Sequence, residues 1–553
     1  MPERRWLLLT SAAMMVVGVL AMLLPVVAAP LTADQRYMYL EGAAVTSGGW
    51  HEVVTVPLAK TVDGLENGRV ATLGIMAQYA QYRGTADLAI VTGIPIVALH
   101  GVQKVVIFAV SVLSVLAFAR ALRARTPGGL TRLSGRSLAL LGAGLAVVGA
   151  AGVQTQQQFA NAWVSYPLLT YGAVVACFGS AALAVVVTRW YARSPRLLTA
   201  AVLVVAMGLL GLVLNASYEL YLVAYPAAML ALLAQPLTDD RSPPQRRAKV
   251  IAAAVLTVTT VVPQVLIRRA VSAACGEPGA ECYSGVKPRL GGETVELFWV
   301  NLVSSIPGSG RNEVVQQLRD AGIGGLPGVS GPGPGSFVLL VLAGAVGLVL
   351  LGVAKREGRA PAPAGLRPQL AMLGLLAAVG LGVAVGSALI MSVSERVPDI
   401  VTGVGDPYRH TVVTWFGFAL VAVSVVLALD LALGRSTGPW QRARWVPWAA
   451  LAGVVAVVVG TVLPYNVAAS KTEALSPYAQ TIDAIHREVL LADRTPAGDE
   501  RRCETLRDIG GTIPSLQTRD FLARAVTRAY QRYNDQPYCT DEREATRYFM
   551  EAQ

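Results

Sequence analysis

Apolar runs of about 18 to 25 residues, such as Leu7 to Val27, Leu197 to Leu214 and Leu370 to Met391, recur along this chain. Each is long enough to cross roughly 30 Å of hydrocarbon as a helix. Backbone N–H and C=O groups inside lipid must pair within their own segment, so these runs are expected to be helical. A composition of 54% hydrophobic and 15% charged residues over 553 positions, with a mean hydropathy of +0.51, excludes an ordinary water-facing protein. The expectation is an all-α membrane protein with about eleven spans, near residues 7 to 29, 91 to 119, 137 to 153, 166 to 188, 197 to 214, 217 to 235, 250 to 266, 335 to 354, 370 to 392, 411 to 434 and 446 to 465. Arg4 and Arg5 before the first run, and the small residues Ala28 and Ala29 after it, also fit a signal peptide. The run is long enough to be retained as a first span.

The net charge of +11 sits in short connectors rather than on an aromatic-studded patch, which argues against nucleic acid as a partner. Alternate connectors carry the cations: Arg4 and Arg5; Arg120, Arg123, Arg125, Arg132 and Arg136; Arg189, Arg193 and Arg196; Arg241, Arg246, Arg247 and Lys249; Lys355, Arg356, Arg359 and Arg367; Arg435, Arg442 and Arg444. The positive-inside rule assigns these to the cytoplasm. The N-terminus is then cytoplasmic, and three long segments lie outside: 30 to 90, 267 to 334 and 466 to 553. Residues 1–465 read as a transmembrane unit and 466–553 as an extracytoplasmic helical domain. In that domain Leu522, Val526 and Tyr530 fall four apart on one face. Cys275 and Cys282 share the second outer segment, and Cys503 and Cys539 the third, so two local disulfides are expected in an oxidising compartment. Cys177 lies mid-span and reads as a small apolar residue. The preference for Arg over Lys, with abundant Ala, Gly and Val, is the codon signature of a GC-rich, actinobacterial genome, and the membrane is expected to be a bacterial plasma membrane.

The first outer segment holds Asp34-Gln35-Arg36-Tyr37, then Glu41, His51 and Asn67-Gly68-Arg69. A carboxylate just beyond a span, beside a cation and tyrosines, stands where the dielectric changes steeply and is suited to general-base work; capping a helix that begins near Gln35 is the plainer alternative. Tyr218 and Glu219 stand at the outer end of spans five and six, where an ionisable group is expensive unless it faces protein or a water-filled cavity. Arg409 and His410 lead into the tenth span on the outer side. Arg409 could hold a phosphate by paired charged hydrogen bonds or anchor to ordinary lipid headgroups. No phosphate-binding loop, dinucleotide fingerprint, zinc spacing or nucleophile elbow occurs in a supporting context.

A first span, an acid at the start of a long first outer loop, many further spans and a C-terminal domain together resemble the GT-C superfamily of membrane glycosyltransferases. More narrowly, Asp34-x-Arg36-Tyr37 with Asn67-Gly68-Arg69 is similar to the serotype-converting O-antigen glucosyltransferases and their actinobacterial relatives. The resemblance covers the membrane half in layout and about forty residues in motif. It implies an inverting glycosyltransferase that takes a sugar from a polyprenyl-phosphate donor to a cell-envelope glycan on the outer face. Asp34 would be the base, with Glu219 orienting base or acceptor. Arg36, Tyr37, Glu41, His51, Arg69, Tyr218, Arg409 and His410 would contact substrate. Many members have two adjacent acids where this chain has Ala33-Asp34, and with no carboxylate pair or His cluster no metal or other cofactor is expected. The alternatives are a lipid-linked glycan flippase or transporter, which should show mid-membrane charges or paired broken helices, and a glycan ligase or polymerase using the same outer site.

Overall fold

The computed structural model of the protein describes residues 2–29, 31, 35–46, 48–66, 70–126, 129–153, 166–234, 243–275, 290–309, 366–394, 404, 410–435, 443–475, 484–489, 495–512 and 516–541. In chain order the helices are α1 (Pro2–Val27), α2 (Gln35–Val45), α3 (Glu52–Glu66), α4 (Thr72–Thr92), α5 (Ile96–Ala121), α6 (Gly135–Ala151), α7 (Pro167–Arg193), α8 (Leu197–Ala216), α9 (Ala224–Ala234), α10 (Pro243–Ala274), α11 (Gly292–Ser304), α12 (Leu366–Ser392), α13 (Thr411–Leu433), α14 (Val446–Leu475), α15 (Pro496–Thr512) and α16 (Leu516–Asn534). A 3-10 turn over Glu219–Val223 precedes α9. One departure from an all-helical chain, among the described residues, is a small antiparallel ribbon of Ala124–Thr126 and Gly129–Thr131 after α5, with Arg125 opposite Leu130.

Among the described residues, seven helices are long and apolar enough to cross a membrane, at Leu8–Val27, Ile96–Ala121, Pro167–Arg193, Leu197–Ala216, Pro243–Ala274, Leu366–Ser392 and Thr411–Leu433. Gly135–Ala151, Glu219–Ala234 and Val446–Gly460 are apolar but shorter. The expected span at 335 to 354 lies outside the described residues. The expected second span starts later than its hydrophobicity suggests, because Gly93 ends α4 in the left-handed conformation (φ 69°) and Pro95 opens α5. Glycine tolerates positive φ, and proline costs nothing at a helix start.

Hydrogen bonds between helix ends define two ends of the bundle. At one end Arg136, opening α6, reaches the buried Asp430 in the last turn of α13 at 3.4 Å, and Arg189 of α7 donates to Ala121 O at the close of α5. At the other end Lys104 Nζ donates to Val26 O (3.0 Å), Asn466 to Val153 O (2.7 Å) and Tyr221 to Leu168 O (2.6 Å). The first is the basic end; the second, the loop end, carries α2 to α4, α11 and the C-terminal helices. Between them, small residues let α12 and α13 approach closely: a Cβ on Gly380 would stand 2.9 Å from Gly417 O. Such contacts replace a hydrophobic driving force that is absent in lipid.

Proline placement explains one buried amide. Pro263 lies inside α10 and cannot donate to the carbonyl four residues back, at Thr259. Asn215, at the end of α8, donates its side-chain amide to Thr259 O (3.1 Å) and Thr260 O (3.0 Å), restoring the partner the proline removes.

The C-terminal helices pack with the first loop. Their core joins Ile485, Val489, Leu506, Leu522, Val526 and Tyr530 to Leu40 and Ala44 of α2. The opposite side of α2 puts Tyr39 against Tyr82, Ala89 and Leu99 of α4 and α5. Cys503 and Cys539 are joined in a disulfide, with Cα atoms 5.1 Å apart. Cys275 is also disulfide-bonded, Cys282 lies outside the described residues, and Cys177 is a buried free thiol.

Candidate functional site

The loop end concentrates buried polar side chains in hydrogen-bonded networks. Tyr39, fully buried on α2, bonds His100 Nδ1 at 2.5 Å and meets the Tyr82 ring edge-on at 4.9 Å. Burial pushes the Tyr39 phenol well above its usual pKa, so it stays protonated as a donor. Beside it Gln81 donates to Gln103 Oε1 (2.7 Å), and Gln103 donates to Thr85 Oγ1 (2.6 Å). Lys104, one turn beyond His100, is fully buried and caps the carbonyl end of α1, where the helix dipole favours a cation. Gly101 makes that approach possible, since a Cβ there would stand 3.0 Å from Val27 O. The close of α1, just before position 34, is therefore pinned to α5.

Next to this network lies a cleft of about 70 Å³ between α4, the start of α7 and the turn after α8, lined by Gln78, Gln81, Tyr82, Tyr166, Tyr218 and Tyr221 among others. Gly74 lets the Tyr218 ring pack on α4, because a Cβ there would come within 3.0 Å of it. Tyr82 faces both ways: its ring lines the cleft, and its hydroxyl lies 3.3 Å from Met38 Sδ on α2.

The sequence candidates fall as follows. Asp34, Arg69 and Arg409 lie outside the described residues. Arg36 and Tyr37 stand in the first turn of α2, and their side chains lie outside the described set. Glu41 is half-buried and engaged on the same helix. His51 is exposed at the start of α3. Tyr218 is buried in the cleft wall, and the adjacent Glu219 is half-buried with Arg268 of α10 close enough for Coulombic attraction. His410 is remote from Tyr218 in its contacts: fully buried at the start of α13, it holds Asn301 O of α11 at 3.1 Å, while Asn301 donates to Ser392 Oγ of α12 at 2.7 Å. That arrangement ties three helix ends together. A second cleft of about 130 Å³ opens beside it, between the start of α11 and the end of α12. Among the described residues, no group of three or more His, Cys, Asp or Glu could hold a metal ion.

Comparison with family models, with curated proteins and with solved structures gives no match for this chain. Gln78, Gln81, Gln103 and Thr85 were not among the sequence candidates. Gln78, Gln81 and Thr85 are spaced three and four apart on α4, an ordinary helical periodicity, and only the meeting of α4 with Gln103 of α5 joins Gln81 and Thr85 into one hydrogen-bonded strip.

Proposed function

We propose that the chain is an inverting, GT-C-type glycosyltransferase that moves a sugar from a polyprenyl-phosphate donor to a cell-envelope glycan. The observation that carries this reading is the course of α2. It opens directly after Asp34, and through Tyr39 and Tyr82 it packs onto the same end of the bundle as the tyrosine-rich cleft. Asp34 immediately precedes that helix in the sequence, and the tyrosine-rich cleft at the same end of the bundle offers room for an acceptor hydroxyl. Connector cations such as Arg120, Arg136, Arg189 and Arg193 belong to helix termini at the opposite end, which by the positive-inside rule supports an extracytoplasmic cleft. Nucleotide sugars are confined to the cytoplasm, and a lipid-borne sugar is the donor chemistry suited to that side. Asp34 deprotonates the acceptor as the sugar–phosphate bond breaks, and Glu219, within Coulombic reach of Arg268, orients the acceptor.

The buried Lys104 and His100 would favour a transporter if they formed a path through the bundle. Both are instead used at the loop end, on Val26 O and Tyr39 respectively, which supports the enzyme reading over a flippase. The test is transfer from a radiolabelled polyprenyl-phosphate sugar in membranes carrying Asp34→Asn. Loss of transfer with normal protein accumulation is expected, and undiminished transfer removes Asp34 from the mechanism.

A further inference from the structure

We infer that the cleft between α4, α7 and Tyr218 is a subsite for a neutral sugar ring and takes no part in holding the donor phosphate. The inference rests on the glycosyltransferase reading for its biological setting, but its chemistry comes from the cleft wall. Among the described lining residues none carries a charge; four are tyrosines, two are glutamines and one is Ser217. Phosphate recognition calls for Arg, Lys or a fan of backbone N–H groups, and the described residues of this wall include no cationic side chain. A sugar ring presents the reverse requirements: apolar C–H faces to lie on aromatic rings, and hydroxyls that need both donors and acceptors at fixed positions.

The polar groups are fixed in that way. Gln81, in the cleft wall, is held from behind by its amide bond to Gln103, whose own amide is held by Thr85. Tyr221 is locked by its bond to Leu168 O (2.6 Å), and the Tyr218 ring is seated on Gly74. Groups immobilised before binding lose little entropy when a ligand arrives. The size limits what enters: 70 Å³ is about half the roughly 150 Å³ of a cavity that encloses benzene, so the cleft takes one edge or face of a ring and leaves the rest of the sugar outside it.

The experiment uses the full chain in detergent and saturation-transfer NMR with a panel of methyl glycosides (glucopyranoside, galactopyranoside, mannopyranoside and arabinofuranoside), with inorganic phosphate as competitor. At least one glycoside is expected to show transfer strongest at its ring C–H protons and to be unaffected by phosphate. Ala77→Trp, at an exposed position on the cleft wall, should abolish the signal by filling the space, and Gln78→Ala should weaken binding about tenfold. Both positions are outside the packed core, and an unchanged thermal denaturation profile verifies folding. The inference is overturned if no glycoside binds, if phosphate displaces the sugar, or if both variants bind as the parent does. Asp34→Asn separates the two readings. Lost transfer with no glycoside binding anywhere removes the subsite and leaves the transferase standing, whereas binding sensitive to Ala77→Trp alongside undiminished transfer in Asp34→Asn keeps the subsite and removes the proposed base.

Discussion

Asp87 is a carboxylate that fastens the C-terminal helices to the first loop, and replacing it with asparagine should loosen both. On α4 it receives Arg83 Nε at 3.4 Å, Arg532 of α16 at 3.8 Å and the Tyr533 hydroxyl at 3.1 Å. The same two arginines hold the carbonyl end of α2, Arg83 on Thr46 O (2.7 Å) and Arg532 on Ala43 O. Side-chain exposure is 8% for Arg83, 11% for Arg532 and 32% for Asp87. Exposed pairs contribute about 0.2 to 1 kcal/mol, and stripping the partner from a fully buried charge costs about 3 to 5 kcal/mol. A carboxylate one-third exposed between two nearly buried cations falls between these limits, so Asp87→Asn is expected to cost about 2 kcal/mol, or roughly thirtyfold in a local opening constant. Hydrogen exchange read by mass spectrometry on the solubilised chain should show amides of α2 and α16 exchanging faster by about that factor, with α7 and α13 unchanged. Faster exchange in α16 alone, with α2 still protected, would refute the shared clamp.

Three further outcomes follow from the geometry. Cys503→Ser with Cys539→Ser opens a loop of 36 residues and should cost the C-terminal helices about 3 to 4 kcal/mol, seen as proteolytic cleavage within 495–541 under conditions that leave the parent intact. The Tyr533 and Tyr538 phenols are held above the usual tyrosine range, first by burial and then by the charges of Asp87 and Glu488 respectively. Their folded pKa values exceed the unfolded ones, so the stabilisation is complete below about pH 10 and fades as the pH climbs through the folded values. Tyrosinate absorbance should therefore rise together with loss of C-terminal protection, and early titration of both phenols in a fully protected chain would contradict their burial. Asn215→Leu removes the side-chain donor to Thr259 O, the carbonyl that Pro263 leaves without a helical partner, and is expected to lower stability by roughly 1 kcal/mol; a thermal midpoint equal to the parent's would show that the Pro263 gap is bridged in another way.

Much of this architecture is legible from hydrophobic run length, because lipid leaves a chain few choices. The apolar runs beginning at Leu7, Leu197 and Leu370 all appear as helices of spanning length. The Gly93 and Pro95 boundary could have been read too, since those residues mark helix ends on their own account. What the sequence hides is contact between distant elements. Nothing near Asp87 announces Arg532, and nothing near Leu40 announces Tyr530. Tyr218 and Glu219 were visible as unusual residues at a span end, but the companions that give Tyr218 a cleft, Gln78 and Gln81, look like any polar positions on a loop helix. Asn215 was visible in the same motif, and its role emerges only once Pro263 stands opposite.

The double use of α2 has a consequence for biogenesis. Arg532 meets Ala43 across a sequence separation of 489 residues, so the surface formed by Leu40 and Ala44 emerges from the ribosome long before the helices that cover it. The N-terminal loop must wait, with its greasy side uncovered, while every intervening segment is threaded into the bilayer. Truncation near the 3′ end of the gene would then do its damage at the opposite end of the polypeptide.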